Sequence, residues 1–328
     1  MKTRRFAGTG WDVMPIGFGA WAIGADWGEV TETDAMATLH AAVDSGVNLF
    51  DTADVYGDGR SEKLLALLRK ERPEAEFHII TKAGRRLDPH VAEGYNEANM
   101  RRFVERSREY LETERLDLVQ LHCPPTAVYE QSSTYEAMDQ MVADGLVESW
   151  GVSVEKIEEA EQAIQWPTVA SVQIIFNMLR QRPAESFFAR AVQQDVAVIV
   201  RVPLASGLLT GKMKADTVFA ANDHRSYNRH GEAFDVGETF AGVPYDVGLA
   251  AVEELRSLVP EQATMAQFAL RWILMHPEVT VVIPGAKNVD QVRANVAATA
   301  VPELDSATMA AVRDVYDRLI RPEVHHRW

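Results

Sequence analysis

The chain has 328 residues, 47% of them hydrophobic and 25% charged, with a formal net charge of −15. That acidity excludes a phosphate backbone as the natural partner, so nucleic acid is not expected, and no run of about 20 apolar residues offers a membrane span. The basic start Met1-Lys2-Thr3-Arg4-Arg5 lacks the apolar stretch of a signal peptide, and the single Cys123 rules out an internal disulfide, so the cytoplasm is the expected location.

In chain order, residues 4–14 read as two short strands around Gly8-Thr9-Gly10, a hairpin suited to plugging the amino end of a barrel. Eight apolar runs then read as strands: residues 15–20, 47–50, 77–81, 116–121, 147–152, 170–176, 197–202 and 279–283. Their near-continuous apolar character suits strands buried on both faces. Residues 33–45, 96–112, 129–143, 183–194, 264–276 and 289–298 carry apolar residues at helical spacing, the first opening on Thr33 and closing on Gly46. This alternation predicts a parallel α/β sheet, and eight repeats are the number that closes a (β/α)8 TIM barrel. An open doubly wound sheet is the competing architecture, but Gly17-Phe18-Gly19 lies inside a strand and lacks the third glycine of a dinucleotide turn. Barrels commonly exceed ~250 residues, so one domain over residues 1–328 is expected. Residues 204–245 and 84–93 read as long loops leaving the carboxyl ends of strands, the face where barrels carry their sites.

Asp51, Lys82 and His122 each sit at or just past the end of one of these strands, and Tyr56 lies in the turn after the second. A phenol titrates near ~10, too weak an acid to release a proton readily at neutral pH, and a neighbouring ammonium makes it a better one. Lys82 is costly to bury without a partner, and Asp51 on the adjacent strand is the natural one. His122 is then placed to bond and orient a substrate oxygen. The four form a consistent proton-donor set.

These residues lie in Asp51-Thr52-Ala53-Asp54-Val55-Tyr56-Gly57, Thr81-Lys82 and Leu116-Asp117-Leu118-Val119-Gln120-Leu121-His122, which resemble the motifs of the aldo-keto reductase superfamily. The likeness continues through Gly151-Val152-Ser153, Gln173, Gly207-Leu208-Leu209-Thr210-Gly211-Lys212 and Ile283-Pro284-Gly285-Ala286. It implies a (β/α)8 barrel that exchanges a hydride between NAD(P)H and an aldehyde or ketone, or a sugar hemiacetal or alcohol in reverse. By that resemblance Tyr56 is the general acid, Lys82 and Asp51 tune it, and His122 positions the carbonyl. Ser153 and Gln173 match residues that bond the nicotinamide carboxamide, and Gly19, Ala20 and Trp21 match the strand edge beside the ring. Leu204, Ser206, Gly207, Leu209 and Lys212 match the loop over the pyrophosphate, and Gly285, Lys287, Gln291 and Asn295 the adenosine end. Three departures from the family pattern stand out: Val154 replaces an Asn, Arg201 replaces an aromatic that stacks on the ring, and Gln291 and Ala294 stand where an Arg or acidic residue is usual. Lys287 is left as the best cation for a 2′-phosphate, so NADP(H) is favoured and NAD(H) is the alternative.

Taken singly, each residue has a plainer reading: Asp51 as a cap, Tyr56 as a packed aromatic, His122 as a core histidine, and Gly207, Gly211 and Gly285 as turn formers. Trp21 is expected to line the pocket and Trp27 to pack in the core. Arg85, Arg86 and Tyr95 are expected on a rim loop, its charges solvated, and His325-His326-Arg327-Trp328 as a free tail, with docking of Trp328 at the pocket mouth as the alternative. His122 beside Cys123 shows no paired ligand spacing, so no metal is expected, and a metal-dependent isomerase or hydrolase would need a ligand cluster. A non-catalytic, nicotinamide-binding redox-sensing subunit is the other rival. The expected partner is a small carbonyl, polyol or sugar, the polar loop residues His224, Arg225, Asn228 and His230 tilting it toward a hydroxylated one; no oligomeric state is specified.

Overall fold

The structure is a computed structural model that describes residues 2–24 and 30–328, so Trp27 lies outside the described residues. The hairpin is present: β1 (Arg4–Phe6) pairs antiparallel with β2 (Trp11–Val13). Eight further strands come after it, β3 (Phe18–Gly19), β4 (Leu49–Asp51), β5 (His78–Ala83), β6 (Leu116–His122), β7 (Val147–Ser153), β8 (Val169–Ile175), β9 (Ala197–Arg201) and β10 (Val279–Val282). They pair in chain order, each parallel to the next. Parallel bridges from Ile16 to Val282 and from Gly19 to Gly285 join the outer strands, closing the sheet into a (β/α)8 barrel. Every residue of β8 and β9 is buried, as strands covered on both faces require.

Among the described residues, eight helices clothe the barrel: α1 (Glu32–Asp44), α2 (Arg60–Glu71), α3 (Glu97–Tyr110), α4 (Ser132–Ala143), α5 (Ile157–Ala163), α6 (Phe187–Gln193), and, after an extra helix α7 (Tyr245–Arg256), α8 (Met265–Leu274) and α9 (Val289–Ala297). A further helix, α10 (Ser306–Val315), lies beyond them in the chain. Five of these helices open on a side chain that accepts an early amide: Thr31 for α1, two residues before the Thr33 read from the sequence, Asn96 for α3, Thr264 for α8, Asn288 for α9 and Asp305 for α10. Sequence reasoning missed α2, α5, α7 and α10. α2 has no side-chain cap; Gly59 precedes it at φ 87°, where a Cβ would also meet the Tyr110 ring at 2.2 Å. α7 begins at Pro244, directly after the irregular stretch, and carries no side-chain cap either.

The barrel interior is divided along its axis. Phe6, Trp11 and Val13 of the hairpin pack with Leu49, Ile80, Leu118, Ile199 and Val281 of the strands, so the hairpin does plug the amino end. Burying a side chain such as Phe6, fully enclosed here, contributes roughly 1.5–3 kcal/mol. Toward the other end the same strands turn polar, with Asp51, Lys82, Gln120, His122, Ser153 and Gln173 all buried. The C-terminal residues are not a free tail. Trp328 is 6% exposed, lies 4.0 Å over the Arg180 guanidinium and donates from Nε1 to Asp235 Oδ1 at 3.1 Å. Gly242, at φ 76°, admits it: a Cβ there would stand 2.2 Å from the indole. Among the described residues no helix is long and apolar enough to cross a membrane.

Candidate active site

Asp51 ends β4, Lys82 lies near the end of β5, His122 ends β6, and Tyr56 sits in the turn that β4 leads into. The structure brings the four together. Lys82 Nζ donates to Asp51 Oδ1 at 2.6 Å, to the Thr52 carbonyl at 2.8 Å and to the Tyr56 hydroxyl at 3.4 Å. The Tyr56 and His122 rings meet edge to face at 6.0 Å. Burial alone would strip the proton from Lys82, but Asp51 and Tyr56 outweigh it and hold the ammonium. Burial pushes the Tyr56 phenol up, with Lys82 pulling the other way, so the hydroxyl keeps its proton at neutral pH. The expected sharpening of its acidity by Lys82 is therefore outweighed in the resting protein. His122 is held well below its usual value by burial and by Arg85 and Lys82, and is neutral.

Strand register sets the next row. His122 pairs with Ser153 and Ser153 with Gln173, while Gly19 pairs with Asp51. Gln173 donates to Asp51 Oδ2 at 2.6 Å and to Gln120 Oε1 at 3.0 Å, and its own Oε1 lies 3.5 Å from the Ser153 hydroxyl. Ala20 donates its amide to the Asp51 carbonyl, and Trp21 stacks near Tyr56 at 6.1 Å, with His224 at 4.8 Å and Phe234 at 6.0 Å.

Above this row the backbone after β9 turns through left-handed geometry at Val202, Ala205 and Ser206. Leu204 and Gly207 are half-buried, Ser206 and Leu209 buried, and Lys212 exposed. Ser206 Oγ donates to the Glu238 carbonyl at 3.0 Å and accepts from the Phe240 amide at 3.1 Å, tying the two arms of the loop together. His224 and Asn228, read from sequence as polar pocket residues, are fully buried; Asn228 Oδ1 accepts the Ala233 and Phe234 amides, a structural role.

A cluster of buried charges joins this roof to the strands. Arg201 pairs with Glu155 at 2.9 Å and donates to the Val154 carbonyl at 3.0 Å. Arg85 is not the solvated rim charge expected: its Nη2 donates to Glu238 Oε1 at 2.5 Å and its Nη1 lies 3.4 Å from His122 Nε2. Tyr95 is likewise buried, its ring against Gly84. Burial would raise Glu238, but Arg85 and Arg201 hold its carboxyl at about 2; burial pushes Glu155 up to about 8. Cys123, Glu155 and Glu238 offer ligand atoms within 4.8 Å of one another. Arg201 occupies their midst, 3.6 Å from Cys123 Sγ and 3.8 Å from Glu238, so the trio is matched to a guanidinium and not to a metal ion.

At the far end, Gln291 Oε1 accepts the Lys287 amide at 2.8 Å and Asn295 donates to the Gly285 carbonyl at 3.3 Å, shaping the turn into α9. Lys287 is pulled down by burial and by the nearby charge of Arg225. Arg225 reaches this region from the roof already paired with Asp223 at 2.6 Å, so Lys287 is the cation at the helix start, where a phosphate is favoured. Sequence reasoning gave Arg225 no cofactor role and gave Glu155 and Glu238 none at all. Glu155 carries a faint signal, an acid two residues past a strand-end serine; Glu238 carries none, since it reaches Arg85 from an irregular stretch 153 residues away.

The residues present fit a nicotinamide dinucleotide: the Ser153 hydroxyl beside the Gln173 amide in the barrel mouth, a glycine-containing turn after β9, and Lys287 at the distal helix start. Residues 15–317 match the sequence model of the Aldo/keto reductase family. The aldo-keto reductase YhdN of Bacillus subtilis is 29% identical over 300 residues, covering 90% of this chain and 87% of that protein. A probable voltage-gated potassium channel subunit beta of Arabidopsis thaliana is 25% identical over 315 residues, covering 91% of each chain. The glycerol dehydrogenase AKR11B4 from Gluconobacter oxydans superposes with a TM-score of 0.79 at 27% identity, covering 97% of this chain and 96% of that one. With the barrel, the four convergent side chains and a match running from the first barrel strand into the last helices, the chain belongs to the aldo/keto reductase family.

Proposed function

We propose that the chain is a nicotinamide-dependent oxidoreductase that reduces a small aldehyde or ketone, or oxidises the matching alcohol or sugar hemiacetal, in the cytoplasm. The observation that carries this reading is one ammonium, Lys82, bonded at once to Asp51 and to the Tyr56 hydroxyl at the carboxyl face of a barrel. Ser153 and Gln173 would hold the carboxamide, with Gly19, Ala20 and Trp21 beside it. Arg201 would face the nicotinamide ring, Leu204, Ser206, Gly207, Leu209 and Lys212 would line the phosphate path, and Gly285, Lys287, Gln291 and Asn295 the adenosine. Lys287 and Arg225 favour NADP(H) over NAD(H). When bound, the dinucleotide supplies or takes up the hydride.

The chain's own residues handle the proton. Its raised pKa keeps Tyr56 protonated until a substrate oxygen becomes basic, and the phenol then donates. The phenolate left behind faces the Lys82 ammonium, which Asp51 holds charged and in place. Neutral His122 donates an N–H to the substrate oxygen without adding charge to a buried site. In oxidation the phenolate takes the alcohol proton by the same path.

A panel of carbonyls and polyols with NADPH and NADH, followed by absorbance, reads class, direction and cofactor together. Tyr56→Phe is expected to cut turnover by about 10²- to 10⁴-fold while leaving dinucleotide binding, read by tryptophan fluorescence, intact. Turnover unchanged in that variant would refute the assigned acid. The likeness to a channel β subunit supports a second reading, a cofactor-binding sensor; tight dinucleotide binding with no turnover across the panel is its signature.

A further inference from the structure

The Arg85–Glu238 pair stands directly beside the group assigned to hold the substrate oxygen, and it is fixed from both sides. Arg85 lies just past the end of β5, and its guanidinium is 5.8 Å from the Phe234 ring centroid. Glu238 is anchored through its backbone carbonyl by Ser206. The pair is mostly shielded, with side-chain exposures of 22% and 6%. Arg85 Nη1 points at His122 Nε2 across 3.4 Å, while His122 Nδ1 is buried with no hydrogen-bond partner among the described residues. A substrate oxygen that takes the N–H of His122 must replace this contact, which leaves an Arg85 N–H unsatisfied beside the charged Glu238 carboxylate.

Hydrogen-bond chemistry dictates which group can then enter that space. A guanidinium offers only donors and a carboxylate only acceptors. A hydroxyl does both and so satisfies the two together, which neither a carboxylate nor a methyl group does. A carboxylate on the substrate would accept from Arg85 and repel Glu238; a methyl group would leave both charges desolvated and partly unpaired. Oxygens on adjacent carbons lie about one hydrogen-bond length apart, which matches the 3.4 Å between the His122 and Arg85 nitrogens. We propose that Arg85 and Glu238 form a recognition pair for a hydroxyl on the carbon next to the reacting one. The enzyme then selects α-hydroxy aldehydes and ketones, or vicinal diols in the oxidative direction, over their deoxy and carboxylate counterparts. This rests on the assignment of His122 and Tyr56 to the substrate oxygen.

The test compares kcat/KM for glycolaldehyde against acetaldehyde, with glyoxylate as the anionic arm, in the full-length enzyme with NADPH. Wild type is expected to prefer glycolaldehyde by about 10- to 100-fold, below the roughly 10⁴- to 10⁵-fold of a fully enclosed hydroxyl site because Arg85 keeps some contact with water. Arg85→Met and the double variant Arg85→Met/Glu238→Leu, which leaves neither charge unpaired, are expected to collapse that ratio toward one through the KM for glycolaldehyde. Arg85→Lys and Glu238→Gln keep a donor and an acceptor and should retain most of it. Parallel losses on both aldehydes, with the ratio kept, would reduce the pair to a structural clamp and overturn the proposal. A wild-type preference for glyoxylate would overturn it in favour of anion recognition. A folded wild type that turns over none of the three overturns the tetrad assignment and this proposal with it, an outcome distinct from acetaldehyde turnover with no hydroxyl preference.

Discussion

The wall of the site, made by the carboxyl ends of β4 to β8, and its roof, made by residues 202–243, are held in place by different forces. In the wall, strand register fixes every Cα, and the side chains then bond to one another across the barrel: Lys82 to Asp51, Asp51 to Gln173, Gln173 to Gln120, Gln120 to Ser171. In the roof no ladder exists. Short turns, left-handed backbone at Val202, Ala205, Ser206, Phe240 and Ala241, and side-chain bonds to backbone do the holding. The two meet through charges, Arg85 with Glu238 and Arg201 with Glu155 and Glu238. The proposed proton chemistry thus sits on the part of the molecule that cannot shift without breaking the sheet, and the proposed selectivity draws on the part that can change without touching it.

The largest effect is expected from a substitution in the wall. Lys82→Met leaves the Asp51 carboxylate buried beside an apolar chain, and removing one partner of such a pair costs roughly 3–5 kcal/mol. Urea denaturation should show that loss, and turnover should fall to background at the same time. Adding Asp51→Asn should restore much of the stability and none of the activity. A single variant as stable as wild type would mean that the wall tolerates an unpaired charge, and the contrast with the roof would fail.

A roof substitution should separate the two regions the other way. Trp328→Ala removes the indole that stacks on Arg180 and bonds Asp235, three residues before Glu238. Amide exchange should quicken over residues 235–242 and stay slow in β4 to β8. KM for dinucleotide and substrate should rise several-fold, with a smaller change in kcat. Equal exchange in both regions would show that the indole does not hold the roof.

The same division explains what the sequence made legible. The wall was readable because its signals are local: an apolar run gives a strand, and the polar residue at its end gives a position on the carboxyl face, so Asp51, Lys82 and His122 could be placed before any contact was known. The hairpin plug was readable for the same reason, through alternation around Gly8 and Gly10. The roof was not. Arg85 looked like one solvated charge among several in a polar loop, and only a partner far along the chain makes it a buried one. Helix α2 follows a glycine turn with no capping side chain to mark its start, and docking of Trp328 depends on Gly237 and Gly242 in a distant loop leaving room for it.

The smallest effect sharpens the boundary between wall and turn. Asp54 lies two residues before Tyr56, fully buried, with neither carboxylate oxygen hydrogen-bonded among the described residues. Burial pushes its pKa up to about 7, and the nearby Glu62 adds to the rise. An unfolded aspartate titrates near ~3.9, so between about pH 4 and 7 the unfolded chain has released a proton that the folded one keeps. Fewer protons on the unfolded state mean that stability falls as pH rises through this window and levels off above it. Asparagine at the position does not titrate. Asp54→Asn should therefore gain stability relative to wild type steadily from pH 4 to 7 and hold that advantage at pH 8, read as the difference in urea midpoints at each pH. Asp51, whose carboxyl is also raised by burial, titrates alike in wild type and variant, so its contribution cancels in the difference. A difference that stays constant with pH would mean that the turn carrying Tyr56 opens to water enough to hydrate Asp54, and that the rigid wall ends at β4 itself, before that turn.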